Sequence, residues 1–327
     1  MMVPMAFDFS LVTAPFRMQP GLRRVAPGAA QLTPGRPDGR HLREKMAVLS
    51  SFATQALVAE PGFDAMPAFR AIADEAARDE SPAFRVAGSQ TLPAFHAPRL
   101  GWTIEAGTAL GKGDPAIGEL LRSLAPGLRP AALLSLAFEE DFAVIEAEGT
   151  TLPWLAVCLP SRWAPEAKIG RPFAEVHGPV ADNAMLLAAA ASLARLVTAS
   201  ERWERFVWTI TAEPRLHQHP DRGATTWPPA VDGGPLDEQA DALAAAAFLR
   251  SERQTFIPVT GAGQAVFTIH VDSVPLTQAV RSGTDAMRLH AAIASMSANV
   301  LAYRGLEAAQ ERLLHWLAQV GDAAPPA

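Results

Sequence analysis

The chain has 327 residues, of which 49% are hydrophobic and 19% charged, and its formal net charge is -6. That length holds one large domain or two ordinary ones with a sizeable core, and the acidic balance excludes a basic surface for nucleic acid or anionic lipid. Cys158 is the only cysteine, which excludes an intramolecular disulfide and any Cys-rich zinc or iron–sulfur centre.

The first 40 residues are rich in Pro, Gly and Arg and read as an extended arm with turns at Pro34-Gly35 and Asp38-Gly39. Helices are expected over His41 to Ala59, ended by Pro61-Gly62, and over Asp64 to Arg78, where Phe69 and Ile72 share a face. Residues 98–114 read as a Gly-rich, turn-rich connection. Helices follow at Pro115 to Ala125, capped by Asp114, and at Ala131 to Phe138. Asp141 to Glu148 and Thr151 to Leu159 read as a hairpin across Glu-Gly-Thr. Asp182 or Asn183 caps an apolar helix to about Val197, and Phe206 to Thr211 is a strand. The Pro- and Gly-rich segment 213–236 reads as a long loop. Phe248 to Val259 and Ala265 to Val271 are strands, then Asp272 or Ser273 caps a short helix with Pro275 at its start. Two amphipathic helices, Thr284 to Leu301 and Leu306 to Val320, close the chain. Antiparallel hairpins flanked by helices argue an α+β fold, not a doubly wound parallel sheet. No apolar run reaches membrane-spanning length and Met1 to Met5 lacks signal-peptide character, so no membrane partner and a cytoplasmic location are expected.

The chemistry concentrates around His177. An apolar strand enters Pro160-Ser161-Arg162-Trp163, a basic loop Lys168-Ile169-Gly170-Arg171-Pro172 follows, and His177 stands before Gly178-Pro179. A neutral imidazole on a rigid loop, beside an apolar wall and cationic groups, suits a heme iron with two propionates. The same position also suits a capping or core histidine. Arginine supplies nearly all the positive charge, the only lysines being Lys45, Lys112 and Lys168. In the strand at 248–259, alternation places Arg250, Glu252 and Gln254 on one face and Leu249 and Arg253 on the other. That polar row fits either a solvated edge or the wall of a pocket. Val266, Thr268 and His270 share a face of the next strand, and this face is a possible partner for the Glu252 face. Trp203, Arg205 and Trp208 either line a flat cofactor or form core and rim. His217 and His219 read as a solvated loop pair, not as metal ligands. No dinucleotide fingerprint, phosphate loop or nucleophile elbow is present, so nicotinamide chemistry is expected on another chain.

Several blocks, taken in order, resemble the heme-binding subunit of the heme-dependent oxidative N-demethylases. They are Phe16-Arg17-Met18 with Gly21-Leu22, Glu139-Glu140-Asp141-Phe142, Cys158 to Trp163, Lys168 to Pro172, and Val176-His177-Gly178-Pro179-Val180. Arg205 with Trp208, Arg250 with Glu252 to Thr255, Val266 to Ile269, and Tyr303 with Gly305-Leu306 before Trp316-Leu317 continue the series. The resemblance implies that residues 41–327 form a single PAS-like, heme-binding domain: an antiparallel sheet with a heme pocket, elaborated by N- and C-terminal helices. It implies heme b with His177 as axial ligand and a flavin- and NADPH-using partner as electron donor. It also implies oxygen-dependent demethylation of a small secondary or tertiary amine of the dimethylamine type, with release of formaldehyde. Within it, Glu252 is assigned to the substrate ammonium or to proton delivery. Lys168, Arg205, Trp208 and Arg253 are assigned to the cofactor, and Arg250, Gln254 and His270 to the substrate pocket. The chain departs from the family pattern where Val207 precedes Trp208, where His270 ends the Phe-Thr-Ile strand, and where residues 28–45 lack Trp and Tyr. A heme-based PAS sensor, or a heme-binding protein without demethylase activity, is the alternative function.

Overall fold

The computed structural model describes residues 7–323 other than 90, 149, 150, 224 and 232. The N-terminal arm contributes one short strand, β1 (Arg23–Arg24), and buries Phe9, Val12, Val25 and Leu32. Helix α1 (Arg40–Ala56) turns Leu42, Lys45, Val48 and Leu49 inward and passes directly into strand β2 (Leu57–Ala59). The helix therefore ends before Ala59. Phe52 already leaves helical geometry at φ -140°, and the last three residues gain a strand partner instead. Helix α2 (Met66–Ala76) carries Pro67 in its first turn and buries Phe69 and Ile72, as their spacing predicts.

Residues 98–114, expected as a turn-rich connection, instead hold two strands of a sheet that runs over residues 85–111. The sheet comprises β3 (Arg85–Gly88), β4 (Pro93–Ala97), β5 (Trp102–Glu105) and β6 (Thr108–Gly111), four antiparallel strands in sequential order. Gly101 (φ +70°) and Gly107 (φ +75°) supply turns between short strands, so glycines that read as breakers are hairpin corners. Helix α3 (Pro115–Ser123) packs on this sheet. A Cβ at Gly118 would lie 2.2 Å from the Trp102 ring, so only glycine permits that approach. Asp114 caps α3 by accepting from Ala116 N–H at 2.9 Å.

After α4 (Arg129–Ala137), strands β7 (Asp141–Glu146) and β8 (Trp154–Ala156) form the expected hairpin. Helices α5 (Phe173–His177) and α6 (Ala184–Val197) precede strand β9 (Trp203–Thr211). Helix α7 (Leu236–Ala245), unanticipated at the end of the long loop, leads into β10 (Phe248–Val259) and β11 (Gln264–Pro275). Strand β11 extends four residues past Val271, because Asp272 to Pro275 pair with Phe248 to Ser251, so the short helix α8 (Leu276–Ala279) starts later than its sequence cap suggests. The helix expected over Thr284 to Leu301 is two: α9 (Gly283–Ala294) and α10 (Ala298–Arg304), the second capped by Ser297 Oγ, which accepts from Val300 N–H at 3.2 Å. Helix α11 (Gln310–Ala323) packs on α7 and α9.

The larger sheet has the order β1-β9-β10-β11-β7-β8-β2, with every described pairing antiparallel. The fold is thus a mixed α/β arrangement of antiparallel sheets and helices. Register decides which side chains meet. Arg205, Gln254, Ile269 and Asp141 form one cross-strand row, and Val207, Glu252 and Val271 the next on the same face. Phe206, Arg253 and His270 form a row on the opposite face.

Candidate functional site

Strand β8 runs into buried Val157, Cys158 and Leu159, and the chain then turns at Pro160-Ser161 beside β10. Ser161 Oγ donates to Glu252 Oε1 and accepts from Arg250 Nε at 2.9 Å. Gln254 Nε2 donates to Glu252 Oε2 at 2.6 Å. Both carboxylate oxygens of Glu252 are therefore held, and among the described residues no cation lies within ion-pair distance of it. Arg250 acts as a strut. It is 2% exposed, donates to Leu216 O at 2.9 Å and Arg215 O at 3.2 Å, and burial pulls its pKa down to about 10 against the opposing effect of Glu252. With its donors committed to backbone carbonyls and to Ser161 Oγ, it fixes the turn rather than offering a free guanidinium.

Arg205 stands across from Gln254 on the same face. Burial lowers its pKa and the Glu252 charge opposes that shift. Its Nε is buried without a hydrogen-bond partner among the described residues, as is Trp203 Nε1 two residues earlier on the same face. A buried guanidinium with an unmet donor is costly unless an anion reaches it.

His177 ends α5. Pro172 starts the helix in extended geometry, and its carbonyl accepts from Glu175 N–H at 2.9 Å and Val176 N–H at 3.0 Å. The imidazole is fixed from two sides: Nδ1 lies 2.9 Å from Phe173 O, and the ring stacks on Phe173 at 3.9 Å. A carbonyl only accepts, so Nδ1 carries the proton and Nε2 presents its lone pair. Burial lowers the His177 pKa to about 4; the Phe173 carbonyl opposes this, and the charges of Arg205 and Lys168 add to it. The ring is neutral at physiological pH. Lys168 Nζ donates to Val176 O at 2.7 Å, and Asn183 Nδ2 donates to His177 O at 2.9 Å, so the backbone after α5 is held as well.

Ser161, Arg250, Glu252 and Gln254 form one hydrogen-bonded group, Arg205 stands across from Gln254 and feels the Glu252 charge, and the charges of Arg205 and Lys168 act on His177. The structure does not bring Arg253, Trp208 or His270 to them. Arg253 lies on the opposite face, with Nε and Nη2 both 2.9 Å from Glu204 Oε2. Trp208 packs edge-on against Phe16 at 5.9 Å, beneath the Arg304 guanidinium at 5.5 Å. His270 pairs across from Arg253 and bonds Glu140 at 3.2 Å. The expected pairing of the Val266, Thr268 and His270 face with the Glu252 face is therefore corrected: in this register those residues align with Ile257, Thr255 and Arg253.

Ser161 and Tyr303 carry no sequence assignment, yet Ser161 touches Glu252 and the partly exposed Tyr303 feels its charge. Burial raises the Tyr303 pKa and the Glu252 charge adds to the rise. Both stand in blocks that carry the family resemblance, Cys158 to Trp163 and Tyr303 with Gly305-Leu306, but neither is given a role there. His217 and His219 are also not solvated. His219 is buried, and His217 Nδ1 lies 2.7 Å from Cys158 O while its Nε2 is buried without a partner among the described residues. Two described clefts, of about 510 Å³ beside Met66, Arg70 and Arg202 and about 360 Å³ beside Pro37, Leu100 and Gly113, include none of the His177 group.

These donors fit a heme: a neutral imidazole with a free Nε2, and two cations bearing on it, one with an unmet buried donor. No curated protein matches the chain. Among protein families, residues 117–314 match the one described as Haem-dependent oxidative N-demethylase, alpha subunit-like. This span covers more than half of the chain and carries Ser161, Lys168, His177, Arg205, Glu252 and Tyr303, so the chain belongs to the heme-dependent oxidative N-demethylase, alpha subunit-like family.

Proposed function

We propose that this chain binds heme b through His177 Nε2 and demethylates a small secondary or tertiary amine with dioxygen and electrons from a partner. The observation that carries the proposal is the neutral His177 imidazole, Nδ1 tied to Phe173 O, inside the matched family span. In this reading the antiparallel sheet is a PAS-like core, and Arg205 and Lys168 meet the propionates as cations. Bound heme supplies the oxidising chemistry with dioxygen, while the protein orients the amine and excludes water. The net reaction converts an N-methyl amine, dioxygen, two electrons and two protons into the shorter amine, formaldehyde and water.

Glu252 is the residue we assign to the substrate ammonium. Ser161 and Gln254 fix its carboxylate, and no cation within ion-pair distance competes for it among the described residues. A desolvated charge-assisted hydrogen bond is worth roughly 1.5–3 kcal/mol. Glu252→Gln should therefore weaken amine binding or turnover about tenfold or more, with heme content unchanged. A clear fall in melting temperature with normal turnover by the surviving holoprotein would instead make Glu252 a structural partner of Arg205 and Arg250.

The electron source separates this chain from a self-sufficient enzyme. It lacks a nucleotide-binding signature, so flavin and NADPH belong to a partner reductase subunit. The test is an assay of purified holoprotein with dimethylamine and oxygen. Formaldehyde should form when a flavin reductase and NADPH are supplied together, and NADPH should persist when the reductase is omitted. NADPH consumption by the chain alone, or no formaldehyde from any small methylamine with the reductase present, would contradict the proposal.

A further inference from the structure

A second constellation stands apart from His177. His41 of α1, Glu139 in the turn before β7, and His270 of β11 come from three separate elements, and their ligand atoms lie within 4.8 Å of one another. Their hydrogen bonds fix which atoms are free. His41 Nε2 lies 2.7 Å from Val271 O, so it carries the proton and leaves a lone pair on Nδ1, 3.5 Å from Glu139 Oε2. His270 Nδ1 lies 3.2 Å from Glu140 Oε1, whose carboxylate also accepts from Thr33 N–H at 2.9–3.0 Å. Its Nε2 is thereby turned toward Glu139 Oε2, 3.9 Å away. With both rings neutral, two nitrogen lone pairs and a carboxylate oxygen face one another with no donor among them. Such an arrangement is repulsive until a cation fills it: Glu140 and Glu139 raise the His270 pKa against the effect of burial, so a proton on Nε2 and a metal ion compete for the same place.

We propose that His41, Glu139 and His270 bind one divalent cation of the zinc class. The outer partners are those a metal-ligating histidine has: each ring's other N–H is held, one by a backbone carbonyl and one by a carboxylate. The ligand types, two imidazoles and a carboxylate, suit zinc, and a tetrahedral ion with bonds of about 2.0–2.1 Å spaces its ligand atoms roughly 3.3 Å apart. Side-chain rotation closes the remaining gap. Glu140 and Asp272 add negative charge around the trio, Lys45 is engaged by Asp141, and Arg36 pairs with the other oxygen of Glu139, Oε1, at 3.5 Å, leaving Oε2 to face the two rings. His270 keeps 23% of its side chain exposed, which leaves the ion a route to solvent and a free fourth position. His41 lies outside the matched family span, so the ion would fasten the N-terminal helix to the central sheet independently of the heme.

Metal-stripped holoprotein should be titrated with zinc ion in equilibrium dialysis, with metal analysis and zinc-edge X-ray absorption on the loaded sample. One zinc per chain is expected, coordinated by two imidazoles, with affinity reduced about 100-fold or more in His270→Ala and about tenfold or more in Glu139→Gln. His219→Ala removes the other described trio, Glu166, His219 and Asp221, and should leave the stoichiometry unchanged. Absence of stoichiometric zinc in the folded wild type would overturn the proposal and leave a proton as the occupant of the cluster. So would a zinc edge with fewer than two imidazoles, or zinc that is lost in His219→Ala but kept in Glu139→Gln.

Discussion

Lys45→Met should lower the melting temperature of this protein by about 6–20 °C. Lys45 is fully buried, donates to Ser135 O and Phe138 O at 3.1 Å each and to Glu140 O, and lies 3.3 Å from Asp141 Oδ1. Methionine keeps the apolar stem and removes the ammonium. Three backbone carbonyls then lose a donor, and the Asp141 carboxylate is left buried without its counter-charge. Removing one member of a buried pair costs about 3–5 kcal/mol, and each kcal/mol shifts the midpoint by about 2–4 °C in a domain of comparable size. The loss reaches the site through one bond: Asp141 Oδ2 accepts from Leu159 N–H at 2.6 Å, two residues before Ser161. Adding Asp141→Asn to Lys45→Met removes the stranded charge and should recover part of the stability, a coupling that a double-mutant cycle measures. A midpoint shift below about 2 °C for Lys45→Met would mean that water or another cation replaces the ammonium.

Much of the polar face was legible because strand alternation is a strict geometric rule. It places Arg250, Glu252 and Gln254 together, and the structure agrees. Alternation does not supply cross-strand register, and a shift of one residue exchanges the faces of a strand. His270 was therefore joined to the Glu252 face, whereas it pairs with Arg253 on the opposite one. The β3–β6 sheet was illegible for another reason. Its strands span four or five residues and are separated by glycine corners, so local pattern resembles a loop and only mutual pairing defines the ladder. The break between α9 and α10 at Ser295 to Ser297 has a readable cap, but the apolar period runs through it. The converging His41, Glu139 and His270 come from positions up to 229 residues apart in sequence, so no motif announces them.

His177 is where the account meets its strongest test. The imidazole is neutral, its Nδ1–H is engaged by Phe173 O, and its Nε2 faces a region under the charges of Arg205 and Lys168. If His177 ligates the iron as proposed, loss of the ring removes the axial bond and weakens heme binding. His217 offers a control, because its Nδ1 is held by Cys158 O in the same way and its Nε2 is also unmet among the described residues. The decisive measurement is the absorption spectrum of wild type, His177→Ala and His217→Ala after each is loaded with heme under identical conditions. The account predicts a strong Soret band at one heme per chain in wild type and His217→Ala, and a lost or shifted band in His177→Ala. A wild type that takes up no heme, or a His177→Ala spectrum identical to wild type, would contradict it.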